Sequence, residues 1–257
     1  MSTSLILLFL GLVLPFVLGP ILVHRLPGIK AHPSLVEISE EAARRRFPPN
    51  SFRTIAQLEQ LGFSLVAHLM AGDQITRMNA MVSILVNRES KTMVALNRVF
   101  TNKAVLNTTV ESISFSTEFA DGTEIMTSNT PIVTIFRDVP RVRRLNIPQL
   151  RDVWRLYSIH SYYVANRYVA NRKDGLAVLP APGEEISNYE KSYERELAEQ
   201  MSLGYLRLDQ ETDRYRFNWL SSIVFTWRML WPVKPLLLSH KKYRGRLIAK
   251  AAGISNL

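Results

Sequence analysis

Residues 110–119 read VESISFSTEF. Ile113, Phe115, Thr117 and Phe119 fall on one side, and Ser112, Ser114, Ser116 and Glu118 on the other. This period-two alternation predicts a strand with one packed and one wet face, and hence an antiparallel sheet. ADGT (120–123) follows, and Asp121-Gly122 predicts a hairpin. EIMTS (124–128) is then the returning strand, and IVTIF (132–136) one more. Upstream, FSLVAHLM (63–70), MNAMVSILVN (78–87) and TMVALNRVF (92–100) are strand-length runs rich in Val, Leu, Ile and Met. AGDQ (71–74) and NRESK (87–91) separate them as turns. The expectation is an antiparallel sheet of about five strands flanked by helices, an α+β arrangement.

Helices are read on both sides of the sheet. Before it, SLVEISEEAARRRF (34–47) has an acidic start and a basic end, which suits a helix dipole, and FPPN (47–50) stops it. Ser51 is an N-cap candidate for a helix to Leu61 with Phe52, Ile55 and Leu58 as its apolar stripe. After the sheet, Pro148 opens a helix with the stripe Leu150, Val153, Trp154, Tyr157, Val164 and Tyr168, running to about Asn171. KDGLAVLPAPG (173–183) is a loop. A strongly polar helix from Glu184 to Leu203 is stopped by Gly204, and a hairpin follows to Trp219. The C-terminal part is thus a helix, a hairpin and a helix.

The two ends differ from the middle. Leu5–Val23, LILLFLGLVLPFVLGPILV, carries no charge over 19 residues. As a helix it would rise ~28 Å, about the thickness of a hydrocarbon core. No basic residue precedes it and Pro20 occupies the most obvious cleavage site, so a retained anchor is expected over a cleaved leader. Arg25, Lys30 and Arg44–Arg46 follow the run, which places its C-terminal side in the cytoplasm by the positive-inside rule. The expectation is therefore a single-pass, signal-anchored cell-membrane protein, its N-terminus outside and its main domain cytoplasmic. Asn107-Thr108-Thr109 is a glycosylation triplet that argues the other way, with little weight because such triplets recur by chance.

The net charge is +10, from 32 Lys and Arg against 22 Asp and Glu. Residues 214–257 hold nine basic residues and no acid, whereas residues 31–213 are nearly balanced. A nucleic-acid binder more often spreads a basic stripe over its body. Charge concentrated beside apolar segments points to anionic lipid. Within NWLSSIVFTWRMLWPVKPLLLSHKKYRGRL (218–247), a helix puts Leu220, Ile223, Val224, Trp227, Leu230 and Trp231 on one face. Arg228 in its middle costs roughly 2.5–3.5 kcal/mol in a span. The segment is read as an interfacial helix with a basic tail. Trp219, Trp227, Arg228, Trp231 and Lys234 would sit at the membrane interface, followed by Lys241, Lys242, Arg244, Arg246 and Lys250.

The absence of cysteine excludes disulfides, thiolate nucleophiles and Cys-ligated metal. His24, His32, His68, His160 and His240 show no ligand spacing, so no metal ligand, catalytic residue or cofactor is assigned. A pocket lined by His68, Trp154, Tyr157 and His160 is the alternative to ordinary core packing. Arg141, Arg143 and Arg144 in RVRRL read as a solvated face or an anion cradle.

ELAEQMSLGYLRLDQETDRYRFNW (196–219) resembles the recognition helix and wing of the winged-helix family. That resemblance implies DNA binding. Glu190, Glu194, Glu196 and Glu199 on the helix would repel phosphate, and the loop before Glu184 displaces the earlier helices such a domain needs.

The organisation that follows is a transmembrane anchor and flank (1–30), a linker with short helices (31–61), a sheet domain with a long helix (62–175), and a helix, hairpin, Trp-rich segment and basic tail (176–257). The function expected is a binding or scaffolding module at the membrane, with membrane lipid and a protein as partners and no nucleic acid. A membrane-associated enzyme or small-ligand receptor acting on a lipid or peptide is the second reading. A nucleic-acid binder using the hairpin and tail is the third.

Overall fold

The computed structural model describes residues 3–32, 34–75, 78–101, 110–131, 136–167 and 176–254. Its centre is one mixed sheet of 11 strands. In chain order these are β1 (Ile29–Lys30), β2 (Leu35–Ile38), β3 (Ser64–Ile75), β4 (Met78–Asn87), β5 (Thr92–Thr101), β6 (Val110–Phe119), β7 (Glu124–Ser128), β8 (Val142–Asn146), β9 (Ala177–Val178), β10 (Leu206–Asp209) and β11 (Arg214–Phe217). The main path runs β10-β11-β1-β3-β4-β5-β6-β7-β8, with β2 added to β3 and β9 to β6. Helices α1 (Thr3–His24), α2 (Glu40–Arg46), α3 (Pro49–Gln60), α4 (Val153–Arg167), α5 (Glu185–Ser202), α6 (Trp219–Met229) and α7 (Val233–Ala251) complete the chain.

The sheet is larger than the five antiparallel strands expected, and not wholly antiparallel. β7 and β8 pair in parallel, Glu124 opposite Val142 through Ser128 opposite Asn146. β1 stitches the C-terminal hairpin to the main sheet, Ile29 opposite both Tyr215 and Ile75. β3 continues through Ala71–Gln74, where a turn was expected, with a break in its register against β4 between Ala71 and Ile75. The IVTIF strand, the Asn107 triplet and Tyr168 lie outside the described residues, apart from Phe136.

Both faces of the sheet are covered. On one, Leu85, Val94, Leu96, Ile113 and Phe115 meet Ile55 and Leu58 of α3, Val153, Leu156 and Ile159 of α4, and Ala249 of α7. On the other, Val82, Ile84 and Leu69 meet Ile186 and Tyr189 of α5. The alternation of β6 is present, with Ile113, Phe115, Thr117 and Phe119 buried. Its serine side is half-buried rather than wet. Helix α4 begins at Val153, later than Pro148 suggests, because Asp152 Oδ1 accepts the Arg155 backbone N–H and fixes the first turn there.

The transmembrane anchor requires correction. Among the described residues, no helix is long and apolar enough to cross a membrane. The single-pass topology, the signal-anchor reading and the N-out, cytoplasmic-domain localisation fall with it. The physical reason lies in α1 itself. Its C-terminal half packs along α6: Phe16 meets Trp227 edge-on at 6.4 Å, and His24 stacks on Trp219 at 4.2 Å. Gly28 then leads it directly into β1. The apolar run is one partner of a helix pair joined to the sheet.

Candidate functional site

The α1–α6 pair is built inside out. On α6 the buried residues are Ser221, Ser222 and Thr226, whereas Trp219, Leu220 and Trp227 are exposed. On α1, Pro20 is buried, while Val17, Leu18 and Leu22 are exposed. At the seam, a Cβ on Gly19 would collide with the Thr226 side chain. The buried hydroxyls are satisfied within α6: Ser222 Oγ donates to the Asn218 carbonyl at 2.8 Å, and Thr226 Oγ1 to that of Ser222 at 2.8 Å. In water, a helix pair hides its large apolar side chains. This pair instead sets small residues at the seam, where the backbones approach closely, and large apolar ones outward. Leu22 is 67%, Leu220 65% and Trp231 72% exposed.

Local sequence explains the pair's shape. Asn218 caps α6, its Oδ1 accepting the Ser221 N–H at 2.8 Å. Leu230 ends α6 in extended backbone, and α7 starts after Pro232. Pro235 lies in the first turn of α7, where its missing N–H costs nothing.

The residues expected at a membrane interface separate into two groups. Trp219, Trp227, Trp231, Lys242, Arg244, Arg246 and Lys250 are exposed, and Lys234 is half-buried. Arg228 instead turns to the protein, its Nη1 donating to the Phe136 carbonyl at 3.3 Å. Lys241 also turns inward, and burial pushes its ammonium below the ordinary lysine pKa.

The four residues suggested as a pocket do not converge on one. His160 is 1% exposed and lies between two hydroxyls, Nε2 at 3.0 Å from Thr117 Oγ1 and Nδ1 at 3.0 Å from Thr127 Oγ1. Burial pushes its pKa down to about 3, so the ring is neutral. Tyr157 and Phe63 pack against Phe115, filling the space between α4 and the sheet. Trp154 points outward. His68 lies elsewhere, with Nδ1 at 2.8 Å from Ser83 Oγ and its ring near Phe47 and Phe52.

One buried polar cluster escapes the sequence reading. Arg141 Nε donates to Glu199 Oε1 at 2.7 Å and its Nη1 to Glu124 Oε2 at 3.3 Å. Arg144 pairs with Glu196 at 2.7 Å, and Arg195 with Glu118 at 2.8 Å. Glu199 and Glu196 of α5 are thus ligands for Arg141 and Arg144 of RVRRL, which are not free to cradle an anion. Burial raises the Glu124 carboxyl pKa despite the nearby guanidinium groups. The acidic helix resembling a recognition helix therefore spends its charge on its own sheet. The signal available was the match of acids in α5 to arginines in RVRRL, which only the fold brings together.

Among the described residues no group of three or more His, Asp or Glu side chains is disposed to hold a metal ion. Comparison with protein-family models, with curated proteins and with solved structures finds no match for this chain.

Proposed function

We propose that this protein is a peripheral binding module that docks on a lipid surface through the α1–α6 pair, without a span. One observation carries the reading: the pair buries Ser221, Ser222 and Thr226, sets Gly19 against Thr226, and leaves Leu18, Leu22, Leu220, Trp227 and Trp231 uncovered. A contiguous apolar surface flanked by polar residues marks an interaction site. Tryptophan suits the headgroup boundary, with an apolar ring and one N–H donor. The filled space around His160 favours binding over turnover in the α4 region. The sheet body then stands at the membrane as a scaffold for a protein partner.

The test is co-flotation with phosphatidylcholine vesicles. The native chain is expected to float. The variant Leu22→Ser/Leu220→Ser/Trp231→Ser should remain at the bottom with an unchanged melting temperature, because all three side chains are exposed. A native chain that stays at the bottom, or a variant that floats equally well, overturns the proposal.

A further inference from the structure

Helix α7 carries its own surface pattern. At about 100° per residue, Gly245, Ile248 and Ala249 form one face. That face is packed on the body: a Cβ on Gly245 would lie 3.1 Å from Ile147, and Ala249 is fully buried. The opposite face presents Leu236, Tyr243 and Leu247, all more than half exposed. Lys242, Arg246 and Lys250 line one flank of this apolar stripe, and His240 and Arg244 the other. All five flanking side chains are exposed.

The cations have no acid of their own. Acidic residues end at Asp213, and among the described residues Lys242, Arg244, Arg246 and Lys250 make no ion pair with a carboxylate. This contrasts with Arg141, Arg144 and Arg195, each joined to α5 or the sheet. An apolar stripe flanked by Lys242, Arg246 and Lys250 on one side and Arg244 on the other is the pattern of a helix lying in an anionic lipid interface. The stripe enters the acyl boundary while the lysine and arginine stems snorkel to headgroup phosphates.

We infer that α7 is a second lipid-contacting element that selects anionic phospholipid bilayers over neutral ones. The inference rests on the docking reading above and adds the class of lipid. Each exposed cation near an anionic leaflet contributes roughly fivefold to binding. Neutralising three should cost roughly a hundredfold on anionic vesicles and little on neutral ones.

The experiment measures vesicle affinity of the full chain on phosphatidylcholine alone and on phosphatidylcholine containing phosphatidylserine. The native chain is expected to bind the mixed vesicles far more tightly, and added salt should erase the gain. Lys242→Gln/Arg246→Gln/Lys250→Gln should bind the mixed vesicles roughly a hundredfold more weakly than the native chain does and the neutral ones equally well. The charge-reversed set K242E/R246E/K250E should bind mixed vesicles more weakly than neutral ones. Equal native binding to both vesicle types overturns the inference and leaves surface docking in place. An anionic preference undiminished in the Gln variant also overturns it. Absence of native binding to either vesicle type removes both readings.

Discussion

Thr226 of α6 fills the space that any side chain on Gly19 of α1 would need. The two helices therefore approach through a glycine on one and a β-branched hydroxyl residue on the other. Gly19→Leu should force them apart. Overpacking of this kind costs about 1–3 kcal/mol, and thermal unfolding of the variant should begin at lower temperature. Pairing Gly19→Ala with Thr226→Ser should recover part of the loss seen in Gly19→Ala alone. If the double variant is no more stable than Gly19→Ala, the contact does not hold the pair.

Arg141, next to the first residue of β8, joins β7 to α5 by contacting Glu124 and Glu199 together. Removing the guanidinium leaves a buried carboxylate unopposed, which costs about 3–5 kcal/mol. Arg141→Met should therefore be among the most destabilising single changes, read by urea unfolding. The pH sign for Glu124 follows from its raised pKa. A carboxyl held above its unfolded value is most stabilising below that unfolded value, and the contribution is lost as pH rises through the folded value. Glu124→Gln should thus be at least as stable as the native protein at pH 7 and show a smaller stability change between acidic and neutral pH. A Gln variant with an unchanged pH profile would show that Glu124 does not titrate in this range.

The fold was legible where its signal is local. Period-two alternation in β6 needs ten adjacent residues, and Asp121-Gly122 needs two, with Gly122 at φ 78° and Asp121 Oδ1 accepting the Thr123 N–H. The α5 stop at Gly204 is equally local. The parallel β7–β8 pair was not legible, because VRRLN has no alternation and its Arg144 is satisfied by an acid on a later helix. The role of α1 was not legible for a different reason. A run of Leu, Val, Ile and Phe has the same composition whether its neighbour is lipid or a helix, and only the fit of Gly19 to Thr226 distinguishes them. Among the candidate site residues, the helical projection put Trp227 and Trp231 on one face without fixing what that face meets. The inward turn of Arg228 and Lys241 depended on the loop before β8 and on α7, which the projection does not include.

His160 is neutral in the fold and should impose an acid limit. Its pKa is pushed down to about 3, whereas an unfolded histidine titrates near 6.5. A base with a lowered folded pKa contributes stability that is full above the unfolded value and is lost as pH falls towards the folded one. One proton taken up on unfolding corresponds to about 1.4 kcal/mol per pH unit within that window. Urea unfolding at pH 7 and pH 5 should show this slope. His160→Gln offers hydrogen bonds to Thr117 and Thr127 without titrating, and should flatten it. A Gln variant that keeps the native slope would assign the titration to another group.

Gly28 adopts φ 85°, and a Cβ there would lie 2.6 Å from the Tyr215 carbonyl oxygen. The residue thus needs both a left-handed backbone and an absent side chain, and each favours glycine. The position matters because β1 is only two residues long and is the sole strand between β11 and β3 on the main path of the sheet. Gly28→Ala should push β1 off β11, so that the α1–α6 pair and the C-terminal hairpin loosen together from the main sheet. Amide hydrogen exchange should then rise at Ile29, Tyr215 and Phe217 while the β4–β5–β6 amides keep native protection. Uniform loss of protection across all strands would show instead that hairpin and sheet unfold as one cooperative unit.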